Sequence, residues 1–101
     1  RLKLDFTLWE QDRTARSTPA AVLRCVEAGN HVIVGPSSTP QTESALMVAS
    51  VYDTPVIGYR STSTLFSNQG IYANFARSVP SDAVMVEALI AFMHEMQWKQ
   101  I

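Results

Sequence analysis

Leu2, Leu4, Phe6 and Leu8 alternate with Lys3, Asp5 and Thr7 at the start of the chain. This period of two predicts a strand over about residues 2–9 with one buried face. Glu10 to Arg16 is polar and reads as a loop. Ser17 and Thr18 then offer N-caps and Pro19 a first-turn proline, so a helix starts there. Ala20, Val22, Leu23, Val26 and Ala28 give it an apolar side, and Gly29-Asn30 ends it by left-handed capping. His31 to Val34 is short, apolar and β-branched, as in a buried parallel strand. Thr39 as N-cap and Pro40 as first helical residue open a second helix to about Tyr52. Asp53-Thr54 turns the chain into a strand over Pro55 to Tyr59. Leu65 to Gly70 reads as a short turn and Ile71 to Phe75 as a brief extended piece. Pro80-Ser81 starts a third helix over Asp82 to about Met96, and Gln97 to Ile101 reads as the beginning of another strand.

Strands that alternate with helices through short connections require right-handed crossovers. The fold class is therefore α/β, a mainly parallel sheet with helices on both faces. In such folds ligands gather at the carboxyl ends of the strands. Two loops lie there, Gly35 to Thr39 and Arg60 to Thr64. The first places Ser37, Ser38 and Thr39 at a helix N-terminus, where unpaired N–H groups and the positive end of the dipole attract a carboxylate or phosphate. Capping by Thr39 of its own helix is the simpler use of that residue. The second loop adds Ser61, Thr62, Ser63 and Thr64, which both donate and accept. A hydroxyl-rich surface turn is the simpler account of this cluster. Two such loops on one sheet edge, however, suit convergence on one ligand.

Composition narrows the choice. The 101 residues make one small domain, with a net charge of −1 from eight basic and nine acidic residues. That balance argues against a nucleic-acid patch or a polybasic membrane arm. Ser and Thr, ten and eight residues, supply the polar character that a low charged fraction of 17% leaves open. Cys25 is the one cysteine, which excludes an internal disulfide and a CxxC metal site. A buried free thiol is its ordinary state, and a bridge to a residue outside this sequence is the alternative. No apolar run approaches the roughly 20 residues of a membrane span.

Enzymatic motifs are missing. Gly35-Pro-Ser-Ser-Thr lacks the Gly-Lys-Ser/Thr ending of a phosphate loop and the spacing of a nucleophile elbow. His31 and His94 have no ligand-spaced neighbours and read as structural. No carboxylate pair is placed for acid–base work. A catalytic role is not expected, and no metal or other cofactor is called for. A phosphoester-cleaving hydroxyl loop is the one enzymatic alternative, testable by Ser38→Ala and Thr39→Ala. The second and third helices carry apolar residues on almost every side, Ala45 to Tyr52 and Ala83 to Met93. Either neighbouring elements bury them or a partner subunit covers one side.

Several ordered motifs resemble a known family. They are Val32-Ile-Val-Gly-Pro-Ser-Ser-Thr39, Asp53-Thr-Pro-Val-Ile-Gly-Tyr59, Ser61-Thr-Ser-Thr-Leu-Phe-Ser-Asn68, Tyr72-Ala-Asn-Phe-Ala-Arg-Ser-Val-Pro-Ser-Asp82 and Trp98-Lys99. Together they resemble the ligand-binding region of class C G-protein-coupled receptors and natriuretic-peptide-receptor guanylyl cyclases. This is the type I periplasmic-binding-protein fold, or Venus flytrap. The resemblance covers roughly residues 2–101. It implies that residues 1–101 are part of lobe 1, without the family's first strand and second lobe. It implies an extracellular location, a membrane-anchored parent, and a homodimer or heterodimer through helix 40–52. A soluble amino-acid-binding protein of the bacterial periplasm, serving a transporter, is the alternative.

The implied ligand is amino-acid-like or a similar small carboxylate held between two lobes, or else a peptide. Thr39 matches a residue that holds the α-carboxylate, and Thr62 one that holds the α-amino group. The candidate ligand-binding residues are therefore Ser37, Ser38, Thr39, Arg60, Ser61 and Thr62. Arg60 departs from the family, where a small residue is usual. It either clamps a second carboxylate or crowds the pocket. Phe75-Ala-Arg77 and Pro80-Ser-Asp82 match a pattern implied to position the third helix. A sheet lacking its first strand exposes an edge, so the isolated segment is expected to be strand-exchanged, oligomeric or partly disordered.

Overall fold

The computed structural model describes residues 3–9 and 12–100. Three helices and three short strands follow one another: α1 (Thr18–Glu27), β1 (Ile33–Val34), α2 (Thr39–Val51), β2 (Val56–Gly58), β3 (Phe75–Arg77) and α3 (Asp82–Glu95). A four-residue 3₁₀ turn, Thr64–Ser67, lies between β2 and β3. The strands form one parallel sheet in the order β1-β2-β3. Ile33 pairs with Val56 and Val56 with Phe75, so these three residues share a face. The α/β class with a parallel sheet is as the alternation of elements predicts.

α1 begins after Ser17, and Gly29 (φ +83°) ends it in the left-handed region that glycine enters without strain. Its buried residues, Thr18, Ala21, Val22 and Cys25, follow the helical repeat and form one stripe. That stripe packs on α2. α2 buries Gln41, Thr42, Ala45, Leu46 and Ala49 along one side. Between the helices and the sheet lies the core: Val22, Ala45, Leu46, Ala49, Val56, Phe66 and Phe75. Phe66 sits 5.0 Å from the Phe75 ring and 5.3 Å, edge-on, from Tyr72. Gly58 is required beside them, since a Cβ there would lie 2.7 Å from the Phe75 ring. On the opposite face the register sets Val34, Ile57 and Ala76 side by side, all exposed.

The structure corrects several expected boundaries. Residues 3–9 form no strand; Leu4, Phe6 and Leu8 are exposed, and Leu2 lies outside the described residues. A strand persists only when a second strand satisfies its N–H and C=O groups, and residues 3–9 pair with no strand among the described residues. Residues 97–100 likewise join no sheet, because Gln97 (φ +55°) reverses the chain after α3. Trp98 folds back instead, its N–H on the Met93 carbonyl at 3.0 Å and its ring edge-on to Phe92. The extended piece expected at 71–75 is displaced to Phe75–Arg77, because turn bonds from Ile71 and Tyr72 to the Asn68 carbonyl delay it. α3 is well started, with Ser81 Oγ accepting from the Val84 N–H, yet none of its residues is buried.

Candidate functional site

The site is built where β1 and β2 end on the same sheet edge. Parallel pairing brings the two following loops together, and the Gly35 N–H donates to the Ile57 carbonyl at 2.9 Å. Gly35 is buried near the Tyr59 ring and has φ +112°, a backbone conformation that strains any residue with a side chain. Beyond it Ser38 is the N-cap of α2, and Thr39 is its first residue. This corrects the capping role considered for Thr39. Among the described residues no side chain caps the helix. The Ser38 hydroxyl turns away and donates to Gln41 Oε1 at 2.8 Å. The first-turn N–H groups thus keep their positive potential for an outside acceptor.

Thr42 locks the two loops. Its hydroxyl donates to the Ser38 carbonyl at 2.9 Å and shares a buried hydrogen bond of 2.5 Å with the Ser61 hydroxyl. Gln41, also buried, extends the lock to a third segment, with Nε2 donating to the Asp12 carbonyl at 3.5 Å. That segment is shaped by Asp12, whose carboxylate accepts from the Thr14 N–H and hydroxyl and from the Ser17 hydroxyl. The Ser17 and Thr14 bonds hold the Asp12 carboxyl below the ordinary carboxylate range. The turn so formed carries Arg13 to the site.

The result is a pocket of about 560 Å³ lined by Arg13, Ser37, Ser38, Thr39, Gln41, Tyr59 and Arg60. Two arginines, three Ser/Thr residues and the Tyr59 phenol line it, and among the described residues the lining has no carboxylate. The lining includes four of the sequence-derived candidates: Ser37, Ser38, Thr39 and Arg60. Ser61 is buried and its hydroxyl is spent on Thr42, so it joins the loops. Thr62 is not part of the lining; its carbonyl accepts from the Asp82 N–H at 2.8 Å. Arg13, Gln41 and Tyr59 were missed. Among the described residues Arg13 follows no strand and is brought in by the Asp12 turn, so the strand-end argument that found the other loops does not reach it. Gln41 and Tyr59 carry no separate signal.

Among the described residues no group of three or more His, Cys, Asp or Glu is placed for a metal ion, and no helix is long and apolar enough to cross a membrane. Cys25 is a free, buried thiol, and that burial pushes its pKa up.

The family model of the receptor family ligand binding region matches residues 1–101. The chain belongs to this family. It is 29% identical over 69 residues to metabotropic glutamate receptor-like protein E of Dictyostelium discoideum, a match covering 68% of this chain and 8% of that protein. Taste receptor type 1 member 3 of Felis catus is 31% identical over 72 residues, again 68% of this chain and 8% of the relative. Guanylate cyclase 32E of Drosophila melanogaster is 25% identical over 80 residues, 79% of this chain and 7% of the relative. The chain spans less than a tenth of the length of these curated relatives. The receptor ligand-binding family and its type I periplasmic-binding-protein-like lobe are thus as the motifs imply.

Proposed function

We propose that this region takes up an amino acid or a similar small carboxylate at the pocket beside α2, as part of lobe 1 of an extracellular two-lobed receptor domain. The observation that carries the reading is the convergence, among the described residues, of a helix N-terminus without a side-chain cap, Arg13 and Arg60 on one pocket. Such a set holds an anion through N–H dipoles, hydroxyl donors and guanidinium forks at once. Arg60 and Arg13 then serve as anion clamps rather than obstructions. The chain's part is binding, not turnover. Ligand closes the two lobes, and the motion passes to a membrane-anchored output domain.

A thermal-shift screen of the complete ectodomain against the twenty standard L-amino acids and succinate tests this. Ligand at 100 times its Kd adds about 2.7 kcal/mol. That corresponds to a rise in Tm of several degrees at roughly 2–4 °C per kcal/mol. The shift is expected to vanish in Thr39→Ala and Arg60→Ala. A shift that survives both substitutions places the ligand elsewhere, and no shift with any compound removes the carboxylate reading.

α2 supports a second element of the proposal, a dimer through helix 40–52. Its outer side exposes Met47, Val51 and Tyr52, an apolar stripe continued from the helix into its C-cap. Met47→Asp with Val51→Asp should raise the dimer Kd of the ectodomain by on the order of tenfold to a hundredfold, measured by sedimentation. An unchanged Kd moves the interface off α2.

A further inference from the structure

Arg77 closes β3 beside the second hydroxyl loop, and its guanidinium reaches into that loop. Nη1 donates to the Ser63 carbonyl at 2.8 Å and to the Ser61 carbonyl at 3.4 Å. Nη2 donates to Ser67 Oγ at 2.6 Å, at the far end of the 3₁₀ turn. The carbonyl between them, that of Thr62, is held by the Asp82 N–H. Three successive carbonyls therefore all accept from the chain's own donors. The hydroxyls of Ser61 and Ser63 are also engaged, with Thr42 and with the Leu65 N–H. Among the described residues, the Thr62 hydroxyl alone of these three has no partner.

We propose that Arg77 is a positioning residue of the binding site: it takes up the acceptors of the 61–67 loop and leaves the Thr62 hydroxyl to the ligand. A planar fork with donors on two nitrogens is required to reach two carbonyls and a hydroxyl ten residues away in the chain. Lysine presents one ammonium point and cannot span them. This goes beyond the role implied by the motif, that of placing the third helix. The guanidinium's hydrogen bonds all go to the loop, and the loop in turn holds the start of α3 through the Thr62 carbonyl, which accepts from the Asp82 N–H. The ligand part of the proposal rests on the amino-acid reading above; the loop part does not.

The test uses the complete ectodomain with Arg77→Met, Arg77→Lys and Ser67→Ala. Hydrogen exchange of the amides in residues 61–67 is measured without ligand. Affinity is then measured for whichever of the twenty L-amino acids and succinate shifts the wild type. Arg77→Met is expected to speed loop exchange on the order of 10–100-fold, with α1 and α2 amides unchanged. Arg77→Lys should recover part of that protection, and Ser67→Ala should lose the least. Affinity should fall in the same order. Loop exchange equal to wild type overturns the proposal, as does a rise shared equally by α1 and α2, or unchanged affinity beside a loosened loop. If no compound binds the wild type, the amino-acid reading fails and the exchange data alone judge Arg77.

Discussion

Phe66→Ala should lower the unfolding free energy of the ectodomain by about 3–5 kcal/mol, as for other buried aromatic side chains cut to alanine. Phe66 is 1% exposed and is the largest of the fully buried side chains. It packs on two further rings, those of Phe75 and Tyr72, and tilted or edge-on geometries add to area burial. Its position makes the effect functional as well. It lies in the 3₁₀ turn whose last residue, Ser67, is bonded to Arg77, so it anchors the loop that carries Thr62. Phe66→Leu, which keeps most of the volume, should cost much less. Urea denaturation of the three proteins decides the matter. A loss below about 1 kcal/mol for the alanine variant would mean that this cluster is not the core of the lobe.

The hydroxyl loops were legible because their chemistry is local. A strand, a glycine, a row of hydroxyls and a Thr-Pro helix start follow one another in the chain, and the strand-end rule says where they meet. Helix α2 and its apolar outer stripe were legible for the same reason. The lock between Thr42 and Ser61 was not, since it joins residues 19 positions apart through side-chain rotation. Arg77 was placed in a structural motif, but its bonds to the 61–67 loop were not legible, because a motif records which residues occur together and not where a guanidinium turns. The strand expected at residues 2–9 marks another limit. Alternation reports a preference for one buried face, while hydrogen-bond partners come from elsewhere in the fold. Neither simpler account holds as stated: Ser61 is buried on Thr42 rather than part of a surface turn, and Thr39 caps nothing.

α3 gives the other large effect, one with opposite signs in two settings. Val84, Val86, Leu89, Ile90 and Phe92 are each more than half exposed, and they lie on all sides of the helix. A helix that is apolar all round belongs in an interior. The relatives are more than ten times longer than the matched region, so there is ample further chain in such a receptor to cover this one. In the ectodomain, Ile90→Asp should therefore cost about 3 kcal/mol or more. Lost burial of the side chain accounts for roughly 1.5–3 kcal/mol, and desolvation of the new carboxylate adds to it. In the isolated 101-residue chain the same substitution should help, because it breaks an exposed apolar surface that drives self-association. Light scattering should then show the isolated wild-type segment as oligomers and the Ile90→Asp segment shifted toward monomer. Equal tolerance of the substitution in both settings, within about 0.5 kcal/mol, is the behaviour of an ordinary surface site. It would mean that α3 faces water in the receptor too, and that its apolar sides are not part of the lobe's core.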